Sequence, residues 1–520
     1  MSGQKTTRFR SLVRLIAFFG TPTAGTWARS TTGKSCRLPS SSKADVAAEP
    51  AVDDPAPLRP RIVSRLAALA ALTGAITYLW LGWCAFPASN WNELRLAPTF
   101  ALVHGETIYP PLDGGPLSTW IYGPVALLVN LPAALAASAA TAVRIAGGIN
   151  ILVLVAPVAV ICFGAAELKS RGWAGRMLAL ALPVLLLPAT SAQFQVADHA
   201  AVALGLLSCF ALARAPERNV FVAAALAVLA AGAKQTAIFL LPAQAAWLFA
   251  TGARPAGRRY LLWCAALGGI FGAASGLAFG FRELWLNVVA IPARLPWGDA
   301  ADKLARRAPQ LAAQLTLPWL ALPWLRRRGC WPDRRSETGR LLELVLYAAV
   351  AFVPIGLVSF FKIGGDVNVL HWSFYLVPVL AVAGVARAAP PPGVQLALVA
   401  LVLLARVPDF LSLPARPQIA ALQHAERVAR ANPRNIWFPY NPLVTFYSDR
   451  RLYHVEDGIA TRHLAGFGLS ETGFRRHLPP ALAAVVYPAG SPDHFALQLL
   501  PEFNHRIPLG AWDVFTRPAK

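Results

Sequence analysis

Residues 88–124 read ASNWNELRLAPTFALVHGETIYPPLDGGPLSTWIYGP and directly follow a hydrophobic segment at about residues 64–86. This stretch is polar, acidic and aromatic, whereas most of the chain from there to residue 411 is a series of further apolar segments. Apolar packing does not need so many polar side chains in one loop. The order of the two segments predicts a membrane protein whose first outside loop carries reactive groups at the membrane surface.

Composition also predicts a membrane protein. The chain has 520 residues, 56% of them hydrophobic and only 14% charged, with a mean hydropathy of +0.48. Such values favour transmembrane helices over several soluble domains. The formal net charge of +22 would suit nucleic acid, but most Arg and Lys residues cluster at the ends of apolar segments, as the positive-inside rule expects. We therefore predict membrane lipids as partners and no nucleic acid.

Three regions of the chain differ in character. Residues 1–60 are rich in Ser, Thr, Pro, Ala and Arg without periodicity, which predicts a disordered, basic cytoplasmic tail; an overextended start codon is the alternative. Residues 61–411 hold the apolar segments and are predicted to form the transmembrane domain. Residues 412–520 contain short strand-like runs, NIWFPY and AAVVYP, which predict a small α/β domain outside the membrane. Its histidines lack metal-ligand spacing, so we predict no metal site and no cofactor, with a divalent cation as the open alternative.

Charge patterning predicts the topology. The segments that we interpret as spans are eleven, at about 64–86, 144–166, 174–190, 198–214, 219–233, 237–250, 260–280, 311–325, 341–361, 372–388 and 393–411. Segment 120–141 is apolar too, but Pro124 and Pro132 interrupt it. If it lies in the membrane interface, most Arg and Lys residues fall in cytoplasmic loops, whereas a further crossing reverses that bias. We predict an all-α bundle of about eleven transmembrane helices, interfacial helices in the first outside loop, a cytoplasmic N-terminus and an outside C-terminus.

Lys234 lies between two short predicted spans, 219–233 and 237–250. At about 1.5 Å per residue, neither span reaches across the roughly 30 Å hydrocarbon core, so Lys234 is predicted to lie below the outer surface. A lysine at that depth needs a wet cavity or an anion. The alternative is one long bent helix whose lysine snorkels to the surface.

The order of these features resembles the GT-C superfamily of polytopic glycosyltransferases, which includes protein O-mannosyltransferases and aminoarabinose transferases. The resemblance covers about residues 64–410 and rests on order and character, not on one strict signature. It implies transfer of a sugar from a polyprenyl-phosphate donor to a glycan, lipid or protein acceptor. The implied place is the outer face of the plasma membrane, the inner membrane of a bacterium.

The resemblance also implies roles for particular positions. The family's acidic pair resembles Asn92-Glu93, where only the second residue is an acid, and Tyr122-Gly123-Pro124 resembles the step that opens an interfacial helix. The other matching positions are Arg144 at the start of a span, Asp198 at the outer start of the fourth family span, Lys234, and the late outside loop Lys362–Trp372 with Asp366, Asn368 and His371. The implied catalytic residues are Glu93 and Asp198, and the others are implied to bind substrate.

The residue types fit this chemistry even without the family resemblance. Transfer from a lipid phosphate to a hydroxyl or amine needs a base for the acceptor proton, and Glu93 lies at the mouth of the first span. It also needs cations that stabilise the departing phosphate. The candidates for that role are Lys234, Arg144, Arg294 and Lys362. A single displacement assisted by one base would invert the anomeric centre.

Simpler interpretations and other function classes stay open. Glu93 can instead pair with Arg95, and Asp198 can simply favour a helix N-terminus. Asp113, in PLDGGP, suits a turn. A transporter or flippase is the competing class, although no internal repeat is visible, and a catalytically inactive envelope-assembly protein is a further alternative. Convergence of Glu93, Asp198 and Lys234 on one outer cavity favours the enzyme, whereas charges at mid-depth along a through-path favour transport.

Overall fold

The computed structural model describes residues 58–118, 120–187, 189–194, 196–327, 333–388, 390–411, 417–491 and 494–518. Almost all of the predicted tail at 1–60 therefore lies outside the described residues. The described chain is mainly helical and ends in a small sheet.

Six helices are long and apolar enough to cross a membrane, judged by length and composition. They are α1 (Leu58–Ala85), α4 (Ala139–Gly164), α8 (Ala197–Arg214), α11 (Arg254–Phe279), α15 (Glu337–Phe361) and α16 (His371–Ala383), the last continued by a π-helical turn at Gly384–Ala388. These helices confirm the membrane-protein character that the composition predicts.

The remaining helices of the bundle are shorter or less apolar. They are α2 (Asn90–Val103), α3 (Val125–Val129), α5 (Ala166–Lys169), α6 (Gly172–Leu186), α7 (Ala189–Gln193), α9 (Val220–Ala233), α10 (Leu240–Ala250), α12 (Phe281–Trp285), α13 (Ile291–Arg294), α14 (Ala300–Arg327) and α17 (Pro392–Leu411). Five predicted spans fall on α6, α9, α10, α14 and α17, so a count of eleven crossing helices stays a prediction.

Segment 120–141 does not form a continuous helix. It holds α3 and a 3₁₀ segment at Leu131–Leu135, each only five residues long. Pro124 immediately precedes the first and Pro132 lies at the start of the second, where a missing N–H costs no helical hydrogen bond. Because neither piece is long enough to cross, this part of the chain agrees with the interfacial interpretation.

The helical conformation breaks at Lys234. This excludes the alternative of one long bent helix across residues 219–250. Helix α9 ends at Ala233, Lys234 is extended (φ −145°, ψ 125°), and a 3₁₀ segment, Gln235–Phe239, leads into α10. The predicted first outside loop, residues 88–124, comes close to this break, because a Cβ at Gly123 would collide with the carbonyl oxygen of Gly232. Only glycine permits that backbone approach, and it places the neighbouring residue Tyr122 beside the break.

The C-terminal region forms the small α/β unit that its sequence predicts. Its helices are α18 (Pro417–Ala431), α19 (Pro442–Asp449), α20 (Glu456–Leu464), α21 (Glu471–Arg475) and α22 (Phe495–Gln498), and its strands are β1 (Ile436–Trp437), β2 (Ala484–Pro488), β3 (His505–Leu509) and β4 (Trp512–Thr516). The sheet order is β1-β2-β4-β3, with β1 parallel to β2 and the other pairs antiparallel. Both predicted strand-like runs, 435–440 and 483–488, contain a strand.

The C-terminal unit packs directly on residues 88–124, the predicted first outside loop. Phe100 of α2 contacts Phe446 and Tyr447 of α19, with ring centroids 5.4 and 5.8 Å apart. Backbone N–H groups of the loop donate to C-terminal histidines, Leu117 N to His454 Nδ1 at 2.9 Å and Gly115 N to His477 Nε2 at 3.0 Å. The loop and the C-terminal unit therefore share one core and hold each other in place.

Candidate functional site

Asp198 is the centre of a buried polar cluster. Its Oδ1 forms an ion pair with Lys234 Nζ and accepts a hydrogen bond from His371 Nε2 at 2.6 Å. Its Oδ2 accepts one from Asn368 Nδ2 at 2.8 Å. The Asp198 and Lys234 side chains are only 1% and 5% exposed. The structure thus brings together four of the residues that the sequence predicted for the site.

Four separate backbone elements place these side chains. Asp198 lies in the first turn of α8, after an extended residue at Val196. Lys234 projects from the break after α9, and His371 begins α16. Asn368 lies in the 3₁₀ turn Val367–Val369, which Asp366 caps by accepting a hydrogen bond from Val367 N at 2.7 Å. Because each residue comes from a helix end, small shifts of the helices would change the cluster.

Tyr122 and Arg95, which both lie within residues 88–124, extend the cluster. Lys234 Nζ lies 5.2 Å from the centre of the Tyr122 ring, and the Arg95 guanidinium lies 5.4 Å from it. Arg95 also stacks on Trp91 at 5.0 Å and lies 3.7 Å from the carboxylate of Asp457 in α20. Cations over aromatic faces gain electrostatic stabilisation, so the loop, the break and the C-terminal unit meet around one tyrosine.

Three predicted substrate-binding residues have other surroundings. Arg144 is exposed on α4. Its backbone oxygen accepts a hydrogen bond from Trp83 Nε1 at 2.9 Å. Lys362 donates to the carbonyl oxygens of Pro292 and Ala293 at 2.8 and 2.7 Å, at the end of α13.

The Asn92 side chain also donates hydrogen bonds to backbone oxygens, from Nδ2 to Phe86 O at 2.5 Å and to Gln193 O at 2.8 Å. It therefore ties α2 to the ends of α1 and α7. Among the described contacts, Arg144, Lys362 and Asn92 do not join the Asp198 cluster, and Asp366 joins it only through the turn that carries Asn368.

Glu93 lies in a separate buried environment. It is 2% exposed, and its Oε1 accepts a hydrogen bond of 2.7 Å from Asn441 Nδ2 of the C-terminal unit. Within the described part of the chain, Oε2 is buried and has no hydrogen-bond partner. Burial raises the pKa of Glu93 to about 8, although the hydrogen bond from Asn441 and the influence of the nearby Leu443 backbone act in the opposite direction.

The two acids therefore differ in what they can do. Asp198 accepts from three donors, one of which is the cation Lys234, so both of its oxygens are engaged. Glu93 keeps one oxygen without a partner and holds a proton near neutral pH. A group of that kind suits general base chemistry because its proton affinity lies near the working range. No described contact joins Glu93 to Asp198.

Two residues near the cluster were missed by the sequence analysis. His199, next to Asp198 in α8, lies with Nδ1 2.7 Å from Asn150 Oδ1 of α4, and Asn150 Nδ2 donates to Ser191 O at 2.9 Å. Both residues are buried. An asparagine inside the apolar span of α4 is the sequence signal that could have found this pair.

Two clefts adjoin at His199 and Val153. The first cleft, of about 20 Å³, is lined by Arg95, Trp120, Asn130 and Asn150 together with apolar side chains. The second cleft, also of about 20 Å³, lies between α4, α6, α8 and α16 and is lined by apolar side chains apart from His199. Each cleft has room for about one water molecule, so a larger ligand would need the helices to separate. Glu93 lines neither of them, so the expected convergence of Glu93, Asp198 and Lys234 on one cavity is not seen at these two clefts.

No group of three or more His, Cys, Asp and Glu side chains is placed to hold a metal ion in the described ranges. His454 instead bonds Leu117 N and Phe474 O, as a core histidine of the C-terminal unit. The chain matches no model of a known protein family and no curated protein. The interpretation of the site therefore rests on its own geometry.

Proposed function

We propose that this chain is a membrane glycosyltransferase that moves a sugar from a polyprenyl-phosphate donor to a glycan, lipid or protein acceptor. The observation that carries the proposal is the buried Asp198–Lys234 cluster, which lies beside the side chains of Tyr122 and Arg95. A polyprenyl-phosphate sugar is an amphiphile with an anionic polar head and a long apolar tail. The basic groups suit the head, and the apolar second cleft marks a groove between helices that must widen to hold the tail.

The basic and aromatic groups around the first cleft support binding of the donor head. Arg95 and Trp120 line the cleft, and the Trp120 ring packs edge-on against Tyr122 with centroids 5.5 Å apart. Tyr122 in turn contacts Lys234. We assign the departing phosphate to Lys234 and the Asp198 cluster, because a preorganised ammonium stabilises charge that develops on the leaving group.

Glu93 is the proposed base. In the transfer step the acceptor O–H or N–H proton passes to the carboxylate, and the acceptor atom bonds to the anomeric carbon. The bond from that carbon to the phosphate oxygen breaks, and its electron pair leaves with the polyprenyl phosphate. One base and one displacement give inversion. Because Glu93 is 2% exposed, acceptor access needs a local opening between α2 and the C-terminal unit.

The proposed site belongs on the outer face of the plasma membrane, in a chain with about eleven spans and a cytoplasmic N-terminus. This orientation follows the distribution of Arg and Lys between the loops. It puts the first outside loop, the Lys234 break and the C-terminal unit on the same side, which agrees with their mutual packing.

Turnover by the detergent-purified protein against a panel of polyprenyl-phosphate sugars tests the proposal. Val153→Trp should block turnover because the indole fills the junction of the clefts. Leu152→Trp is the matched control, since Leu152 is the neighbouring residue of α4 and is 65% exposed. Equal turnover by both variants would contradict the assigned donor site. Movement of an intact lipid-linked sugar across the bilayer, without cleavage of its phosphate bond, would instead favour the transporter class.

A further inference from the structure

The C-terminal unit reaches the proposed base through one side chain. Asn441, the residue before α19, is 3% exposed and donates from Nδ2 to Glu93 Oε1 at 2.7 Å. The two residues lie far apart in sequence and belong to the first outside loop and the C-terminal unit. A hydrogen bond to a carboxyl oxygen is strengthened away from water, and it is strongest when the acid is ionised.

The two oxygens of Glu93 are not equivalent. Oε1 is held by Asn441, whereas Oε2 is buried and has no hydrogen-bond partner in the described ranges. A buried polar atom without a partner is costly and calls for an explanation, such as a catalytic role. An oxygen that the fold leaves unpaired is available to accept a proton from a bound substrate.

We propose that Asn441 is a positioning residue of the base: it anchors Oε1 of Glu93 and leaves Oε2 to take the acceptor proton. This inference rests on the proposed glycosyl transfer. It makes the C-terminal unit an integral part of the reacting site, because the transmembrane helices alone would leave the carboxylate unanchored.

The other charged groups near Glu93 are already engaged. Glu426 of α18 acts on Glu93 through its negative charge, but its own carboxylate accepts from Arg430 and from Ala139 N at 2.9 Å. Arg95, two residues along α2, ion-pairs with Asp457 and stacks on Tyr122. Asn441 is therefore the side chain whose removal changes the ionisation of Glu93 most directly.

The sign of that change follows from the bond. A donor to a carboxylate favours the ionised form and lowers its pKa, so loss of the donor raises it. Asn441→Leu keeps approximately the shape of asparagine and removes the donor. The pKa of Glu93, raised by burial to about 8 in the wild type, should therefore move to a more alkaline value in this variant.

Infrared titration of the purified full-length protein measures this directly. The carboxylic C=O band that disappears in Glu93→Gln identifies the Glu93 signal, and its loss with rising pH gives the midpoint. Asn441→Leu should shift the midpoint and the rising limb of the pH–rate profile for transfer to higher pH. Asn432→Leu, at an exposed asparagine of the same unit, should shift neither. An unchanged midpoint in Asn441→Leu would overturn the inference.

Asn441→Asp covers the case in which Asn441→Leu does not fold. It preserves shape and puts a second carboxyl group beside Glu93, and the like charge should also raise the midpoint. An unchanged midpoint would again overturn the inference. The glycosyltransferase proposal and the role of Asn441 can be rejected independently of each other. Absence of transfer by the wild type would reject the glycosyltransferase, whereas transfer with an identical pH–rate profile in Asn441→Leu would reject only the role of Asn441.

Discussion

Lys234 and Asp198 form an ion pair that solvent barely reaches, with side chains 5% and 1% exposed. The two residues come from different helix ends, one from the break after α9 and the other from the first turn of α8. Asn368 and His371 complete the shell of donors around the carboxylate. The ion pair therefore links the ends of two helices, and it is also the proposed phosphate site.

Removal of one partner of this pair should destabilise the protein strongly. Lys234→Met leaves Asp198 buried without its cation, which typically costs about 3–5 kcal/mol. Adding Asp198→Asn to that variant removes the uncompensated charge and should recover much of the loss. Thermal unfolding in detergent measures both, with Arg144→Met, at an exposed basic residue, as the control. Equal stability of Lys234→Met and the wild type would mean that the pair contributes nothing.

The role of the base makes Glu93 far more sensitive than the nearby acid Asp113. General base catalysis contributes on the order of 10²–10⁴-fold, so Glu93→Gln should lose transfer activity by about that factor. Asp113→Asn should have a mild effect, because Asp113 is exposed in the loop. Initial rates at equal protein level make the comparison. Full activity of Glu93→Gln together with an inactive Asp198→Asn would move the base to Asp198.

Glu93 should also make the stability of the fold depend on pH. Its folded pKa of about 8 lies above the usual 4.5, so its contribution is fully present below about pH 4.5 and is lost as the pH rises through about 8. Glu93→Gln should therefore lose less stability than the wild type between about pH 5 and about pH 9. Burial also raises the pKa of Asp457 and Glu106, so the difference between the two proteins is the relevant quantity. Parallel curves would show that Glu93 titrates normally.

Topology gives a prediction that does not depend on the reaction. The charge distribution predicts that the C-terminus lies outside the cytoplasm. A C-terminal alkaline phosphatase fusion should therefore be active and a C-terminal GFP fusion dark. A fluorescent GFP fusion with an inactive phosphatase fusion would invert the loop assignment and move the proposed site to the other side of the membrane.

Local patterns in the sequence were enough to predict several features. Apolar length found the six long helices, and Pro124 and Pro132 indicated why 120–141 does not form one. The strand-like runs located β1 and β2. Each of these features depends on neighbouring residues, which the sequence displays directly.

The contacts between distant segments could be predicted only in part. The sequence suggested Asp198, Lys234, Asn368 and His371, and the structure joins them, but it also suggested Arg144, which is exposed. Nothing near Glu93 in the chain indicates Asn441, because their bond depends on how the C-terminal unit docks on α2. Sequence spacing carries no information about such docking.

Release of polyprenyl phosphate from a polyprenyl-phosphate sugar tests the central claim most directly. The purified protein, supplied with donor and an acceptor extract in proteoliposomes, should release the lipid phosphate in equal amount to the sugar transferred. Compared at equal amounts of folded protein, Lys234→Ala should reduce that release strongly, and Lys234→Arg should restore it only in part, because a planar guanidinium does not replace a compact ammonium. No release with any donor of the panel, or undiminished release by Lys234→Ala, would contradict the account.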